Sequence, residues 1–562
     1  MTATPPPAGG APGAGTGPDV KSSEQRSAGP KGAGLLGGFA TVGLWTMVSR
    51  VLGFLRDVVI AAILGVGPVA EAFFVAFTLP NLFRRFFAEG AFNTAFVPLF
   101  AKRLEGEGRE SARAFAEEAF AGLATVLIVF TLIAQLAMPW LVLALASGLA
   151  GDARFDLAVD FGRIVFPYIL LISLAALMSG VLNALGRFAV AAAAPTLLNL
   201  LLIAVLLVSQ TELLEPVAVA APTQAEAGTI LDLHAGTMLS LGVILAGVAQ
   251  LALVWHAAAR AGLPVRLRWP SLSPEMKRLA IIAAPAALAG GVMQINLVVG
   301  RQVASYWEGA IGWLWLADRV YQLPLGVIGV AIGVVLLPAL SRHVRAGDRA
   351  AARHALGRAG EFALALTLPA TVALIAIPAL IVAVLFERGA FGPQDVGPTA
   401  LALAVYAAGL PAFVLQKVVQ PAFFSREDTR TPLRYAVWSM LVNVAVALAG
   451  SLVIGWLAAP LAATAAAWAN LVLLWRGALR AEPHLAPDTT LRRRVPRMLL
   501  AALAMGAIIL GLATLTEGLG AYARTGALAA IVVAGMAAYG AIGLAIGGFS
   551  LSDLKAGLRR RG

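Results

Sequence analysis

Four arginines interrupt stretches otherwise built from Ala, Leu, Val, Ile and Phe: Arg50 and Arg56 in one, Arg84 in the next, and Arg319 much later. An ionisable side chain in hydrocarbon costs about 2.5–3.5 kcal/mol or more, so it faces a wet cavity or a partner. The carboxylates near enough to compensate are few, namely Asp57, Glu89 and Asp318, with Glu71 close by. Arg85 and Lys417 add to the positive side. An unbalanced cation out of water is expensive unless water or an anion accompanies it. The planar guanidinium fork suits a phosphate or diphosphate through two parallel hydrogen bonds. Arg50 and Arg56 are six residues apart, about 9 Å along a helix axis. The expected binding set is Arg50, Arg56, Arg84 and Arg319, supported by Asp57, Arg85, Glu89, Asp318 and Lys417. The competing reading is structural: Arg84 and Arg85 snorkel to an interface, Lys417 approaches one, and Asp57 and Asp318 lock helix packing.

Bond-making chemistry finds no home in the sequence. There is no phosphate loop, HExxH or nucleophile elbow. Cysteine is absent, and the five histidines (His234, His256, His343, His354, His484) form no i, i+4 ligand pair. The expectation is a protein without cofactor or metal. Lacking an ATP-binding motif, any pumping would draw on an ion gradient or the membrane potential, with the ion unspecified.

The elements that must hold these charges are membrane helices. Of 562 residues, 59% are hydrophobic and 13% charged, about half the charged fraction of a soluble domain, ~25%. Too little polar surface remains to coat a water-soluble fold. A span needs about 20 mostly apolar residues, and fourteen such segments centre near residues 50, 86, 128, 171, 201, 246, 292, 325, 370, 410, 441, 466, 505 and 534. The runs lack the alternation of a barrel strand. Alternate loops are basic, as with Lys102, Arg103, Arg109 and Arg113, or Arg492, Arg493, Arg494 and Arg497. The intervening loops hold only Arg154, Arg388 and Arg524, and Arg163 and Arg301 lie at helix ends nearby. Positive loops stay inside, so both termini are expected in the cytoplasm. The same pattern assigns the net charge of +12 to topology and argues against nucleic acid. Trp313 and Trp315 fit an interfacial aromatic belt.

The sequence also echoes itself. Tyr168, Asn183-Ala184, Arg187 and Pro195 resemble in spacing Tyr406, Pro421-Ala422, Arg426 and Pro432. Phe77-Thr78-Leu79-Pro80 before Pro98 is matched by Tyr321-Gln322-Leu323-Pro324 before Pro338. The predicted fold is an all-α integral membrane protein with 14 transmembrane helices, two pseudo-symmetric six-helix lobes plus two extra C-terminal helices. Residues 1–33 form a disordered tail, 34–260 the first lobe, 270–482 the second, 493–550 the last two helices and 551–562 a basic tail. Parallel repeats of this kind place a substrate path between the halves.

Two stretches carry a family resemblance. Ser49-Arg50-Val51-Leu52-Gly53-Phe54-Leu55-Arg56-Asp57 is one; Glu71-Ala72-Phe73-Phe74 through Thr78-Leu79-Pro80-Asn81-Leu82-Phe83-Arg84-Arg85, with Phe87-Ala88-Glu89-Gly90, is the other. With Phe166-Pro167-Tyr168, Ala317-Asp318-Arg319 and Phe424-Ser425-Arg426, they resemble the MurJ (MviN) family of bacterial lipid II flippases. The resemblance runs from about residue 36 to the C-terminus. It implies a fold of the multidrug/oligosaccharidyl-lipid/polysaccharide exporter type, with a central cationic cavity and a lipid groove at the last two helices. It implies lipid II as cargo, membrane lipids and other cell-wall synthesis proteins as partners, and the inner membrane as location. It carries substrate binding onto Arg50, Arg56, Arg84 and Arg319. Glu71 departs from the family's usual Asp, and the acidic external segment near 210–235 is long.

Four rivals stay open on the residues alone. A drug antiporter predicts an acidic cavity, which the cationic excess opposes. A membrane glycosyltransferase or phosphatase needs clustered carboxylates or a nucleophile at one face. A wall-synthesis scaffold, or a flippase of another polyprenyl-diphosphate glycan, would share most of these features.

Overall fold

A computed structural model describes residues 33–84, 91–211, 229–271, 273–282, 294–346, 348–486 and 488–549. The first half comprises α1 (Ala33–Leu64), α2 (Pro68–Arg84), α3 (Ala91–Gly106), α4 (Arg109–Leu136), α5 (Met138–Ala146), α6 (Ala153–Val165), α7 (Tyr168–Ala184), α8 (Phe188–Val208) and α9 (Ile230–Arg260). The second comprises α10 (Ile295–Ala304), α11 (Ala310–Arg345), α12 (Arg349–Ala376), α13 (Pro378–Phe386), α14 (Pro393–Val419), α15 (Pro421–Phe424), α16 (Arg430–Ile454) and α17 (Ala458–Ala481). Helices α18 (Thr489–Thr514) and α19 (Ala521–Ala545) follow. Every expected span centre falls in a helix except residues 86 and 292, which lie outside the described residues, as do both tails and most of the acidic 210–235 segment.

Among the described residues, nine helical stretches are long and apolar enough to cross a membrane, and none is a strand. Helix α1, which carries Arg50, Arg56 and Asp57, is not among the nine. The outer helices expose broad apolar surface, including Leu132, Leu136, Leu452, Val453, Leu500, Leu503, Val533 and Met536. Soluble monomers rarely show patches of that extent; lipid accommodates them. The protein is a multi-pass, all-α membrane protein.

Helix ends follow from local chemistry. Asp152, Asp348 and Asp488 accept the first free amides of α6, α12 and α18, and Thr229 with Asp232 forms a capping box on α9. A short polar side chain at this position replaces the missing helical acceptor. Prolines sit inside α2 (Pro80), α8 (Pro195), α12 (Pro369) and α14 (Pro411). Membrane helices tolerate them because neighbours satisfy the freed carbonyls.

The internal echo reappears as packing. In the first half, α9 packs on α7 and α8, α1 on α8, α2 on α6, and α4 on α7. In the second, α17 packs on α14 and α16, α10 on α16, α11 on α14, and α12 on α14. With α6 and α7 together standing where α14 stands, the first scheme maps onto the second, which is the pseudo-symmetry the spacing predicts. Outside it, α18 packs on α12, and α19 on α18.

The halves are tied at the end where α1 finishes and α2, α6 and α11 begin. The Ala390 amide donates to Ala62 O at 2.8 Å, and the Gly148 amide to Ser305 Oγ at 2.9 Å. Gly65 (φ 62°) and Gly389 (φ 58°) flank the first link, where a Cβ would strike the opposing backbone. The Glu71 carboxylate reaches across as well: it pairs with Arg154 at 2.8 Å and accepts the Ile311 amide at 3.0 Å. Glu71 is fully buried, so losing it removes one of the two carboxylates on Arg154, leaving Asp152 at 2.6 Å, and takes the acceptor from the Ile311 amide. Glu71→Leu is expected to lower stability by about 3 kcal/mol, and adding Arg154→Met should restore most of it, because a buried pair can often be replaced by apolar residues. Thermal unfolding of the purified single and double variants checks this.

Candidate functional site

Between the halves lies a cavity of about 760 Å³. Its charged lining, among the described residues, consists of Arg50, Arg56, Arg84, Arg301, Arg319 and Asp318. Helices α1, α2, α10 and α11 supply all six.

The centre of the arrangement is Asp57. Its side chain has no solvent exposure. Arg56 folds back along α1 so that Nη2 and Nε donate to Asp57 Oδ1 at 2.7 and 3.1 Å. From α11, Arg319 Nε lies 2.7 Å from Oδ2, an ion pair angled outside hydrogen-bond geometry. Arg56 Nη1 also donates to Asn199 Oδ1 at 3.0 Å, and Asn199 Nδ2 donates to Ser49 O at 2.9 Å. One carboxylate therefore orients two guanidiniums from opposite halves, both of which line the cavity.

Arg50 is exposed in the lining and forms no ion pair among the described residues. Its guanidinium lies against the Cα of Gly326, where any side chain would collide with it. Gly326 thus leaves the space that the Arg50 guanidinium occupies. Asp318 accepts from Gln322, one turn on.

All four arginines expected to bind are in this cavity, with Asp57 beneath them and Asp318 beside them. Arg85 and Glu89 lie outside the described residues. Lys417 is exposed and absent from the lining, while its neighbour Gln416 belongs to it. Helix α14 turns the lysine away, because adjacent residues point about 100° apart.

Two lining residues were not anticipated. Arg301 reads as a helix-end residue in the loop pattern, yet it sits in α10 with its guanidinium 5.0 Å from the Trp315 ring centroid. Trp315, expected in an interfacial belt, stacks on Phe74 at 4.7 Å and lines the cavity. Arg319 lies 4.7 Å from the same ring. Arg301 follows Val-Val-Gly in an apolar segment 18 residues before Arg319, the one signal that could have placed it with the other cavity arginines.

The opposite wall is neutral and polar. Gln416, Ser439, Asn443 and Asn470 line it from α14, α16 and α17. Asn470 Nδ2 donates to Gln416 Oε1 at 2.9 Å, and Gln416 Nε2 to Ala467 O at 2.8 Å. The Asn443 and Asn470 Oδ1 atoms are buried without a donor among the described residues. Five guanidiniums on one side and carboxamides on the other suit an anion joined to a hydroxyl- or amide-rich group.

Comparison with known proteins agrees with this geometry. The profile described as "Lipid II flippase MurJ" matches residues 60–531. The "Probable lipid II flippase MurJ" of Rhizobium meliloti (strain 1021) is 46% identical over 537 residues, covering 93% of this chain and 96% of that protein. A solved structure described as "Lipid II flippase MurJ, inward closed conformation" superposes with a TM-score of 0.72 at 23% identity, covering 89% of this chain and 97% of that one. An inward-facing multidrug resistance MATE transporter of the MOP superfamily shares the fold at a TM-score of 0.59 and 17% identity, over 78% of this chain and 94% of its own. With the profile spanning most of the sequence, and a relative at 46% identity over nearly all of it, the chain belongs to the lipid II flippase MurJ family.

Proposed function

We propose that the protein carries lipid II, an undecaprenyl diphosphate bearing a disaccharide-peptide, from the cytoplasmic to the periplasmic leaflet of the bacterial inner membrane. The observation that carries this reading is the cavity itself, lined among the described residues by five arginines and a single carboxylate in a chain of this family. Arg50, Arg56, Arg84 and Arg319 hold the diphosphate, and Asp57 keeps two of them aimed while the site is empty. The carboxamide wall takes sugar hydroxyls and amides. The prenyl tail stays in lipid, so only the head group travels through the wet cavity and escapes the cost of crossing hydrocarbon.

Residues 34–260 and 270–482 act as the two rocking lobes, and residues 493–550 guide the tail. The links between Ala62 and Ala390 and between Gly148 and Ser305 close one end and break when that end opens. The basic loops place both termini in the cytoplasm. No bond of the cargo is made or broken. An ion gradient or the membrane potential drives the cycle, each charge moved through 100 mV being worth about 2.3 kcal/mol.

Reconstitution tests the cargo class. Vesicles holding the protein should expose labelled lipid II in the opposite leaflet, and undecaprenyl diphosphate should compete while undecaprenol does not. Equal competition by the alcohol, or no movement of lipid II, would contradict the reading. Faster movement of a different polyprenyl-diphosphate glycan would favour that cargo instead.

A further inference from the structure

We infer that Arg301 and the Trp315 indole form a second anion-binding position in the cavity, one that takes a carboxylate of the cargo's peptide. This rests on the proposed lipid II reading and narrows it, because it makes the peptide part of what the cavity recognises.

The first support is charge. Among the described residues, five arginines line the cavity against Asp318 in the lining and Asp57 beneath it, which leaves three positive charges. A diphosphate diester carries two ionised oxygens, one on each phosphorus. One cation is left over when the diphosphate is seated.

Arg50, like Arg301, forms no ion pair among the described residues, but Arg50 is exposed whereas Arg301 carries a buried donor without an acceptor. Arg56 and Arg319 are tied to Asp57 by 2.7 Å ion pairs, and they project from α1 and α11. Arg301 projects from α10 and forms no ion pair among the described residues. Its one hydrogen bond there is a long one, Nη1 to Phe74 O at 3.5 Å. Arg301 Nε and Trp315 Nε1 are both buried donors without an acceptor among the described residues. A buried donor left unmade costs about 1–3 kcal/mol, and charge-assisted bonds to a carboxylate offset that cost best. The Phe74–Trp315 stack at 4.7 Å gives the guanidinium a fixed platform 5.0 Å from the ring.

The chemistry of the cargo selects the partner. Beyond its diphosphate the head group is a neutral disaccharide and a peptide, so its remaining anions are carboxylates, including the peptide terminus. A flippase for a peptide-free glycan would have no use for Arg301.

Binding to the purified full-length protein in nanodiscs tests this with three probes: lipid II, lipid II with its peptide carboxylates amidated, and the undecaprenyl-diphosphate disaccharide without peptide. Wild type should prefer lipid II about tenfold over the other two, the equivalent of ~1.4 kcal/mol. Arg301→Gln should erase that preference by weakening lipid II more than the peptide-free probe; Arg301→Lys should keep part of it. Trp315→Phe, which removes the indole N–H together with the fused pyrrole ring beneath the guanidinium, should reduce it and supplies the comparison if the glutamine variant does not fold. Equal weakening on all three probes would place Arg301 on the diphosphate and overturn the inference. An unchanged preference in Arg301→Gln, or equal wild-type affinity for native and amidated lipid II, would overturn it too. Failure of wild type to bind any of the three would remove the lipid II reading itself, a result distinct from any of these.

Discussion

Asp57→Asn should both destabilise the protein and abolish transport, the largest combined effect expected from changing one atom type in this chain. The carboxylate is fully buried and each oxygen has its own arginine, Arg56 on Oδ1 and Arg319 on Oδ2, both at 2.7 Å. An asparagine fills the same volume but carries no charge and turns one acceptor into a donor facing a cation. Removing one member of a buried ionic cluster costs about 3–5 kcal/mol, because the remaining charges stay out of water uncompensated. Arg56 is only 5% exposed and cannot recover hydration by moving. Arg319 is 31% exposed, so part of its loss is screened and the lower end of that range is the better expectation. Freed of Asp57, the two guanidiniums should swing apart and lose their common aim. Thermal unfolding of the purified variant and its transport activity are the two readouts. A melting temperature equal to wild type would show that Asp57 does not hold the pair.

How much of this was legible in the sequence depends on the kind of physics involved. Helix existence and the loop alternation were readable because lipid forces long apolar runs and sorts basic residues to one side. The repeat was readable because duplicated packing retains its tyrosines and prolines, and Tyr321 and Tyr406, one in each of its two second-half motifs, now stack at 5.3 Å. The four arginines stood out because charge within an apolar run has few structural excuses. Direction around a helix was harder. Lys417 belongs to the same run as Gln416 but points away from the cavity, a difference of one position that only packing decides. Arg301 and Trp315 were assigned to membrane boundaries because a hydropathy window measures depth and cannot see which neighbour a side chain meets. The Glu71–Arg154 pair joins residues 83 positions apart, and no local pattern announces such a contact. Glu71 drew notice as a nearby compensating carboxylate and as a departure from the family's usual residue; its burial at the link between the halves gives that position a structural role.

The arginines themselves bear the heaviest functional load. Arg50 has no competing ion pair among the described residues, so Arg50→Ala should cost little stability while removing a cation from the lining. Arg319→Ala removes a cavity cation and the link from α11 to Asp57 together. A charge-assisted hydrogen bond to a phosphate is worth about 1.5–3 kcal/mol, and a bidentate guanidinium supplies two. Losing either residue should therefore slow cargo handling by about 10²-fold or more, enough to stop growth that depends on it.

The most direct measurement is rescue of bacterial cells depleted of their own lipid II flippase, comparing wild type with Arg50→Ala and Arg319→Ala at matched membrane expression. Rescue by wild type and by neither variant is the predicted result. Rescue by all three would contradict the account, since it would show that the cavity's cations are dispensable for moving the cargo.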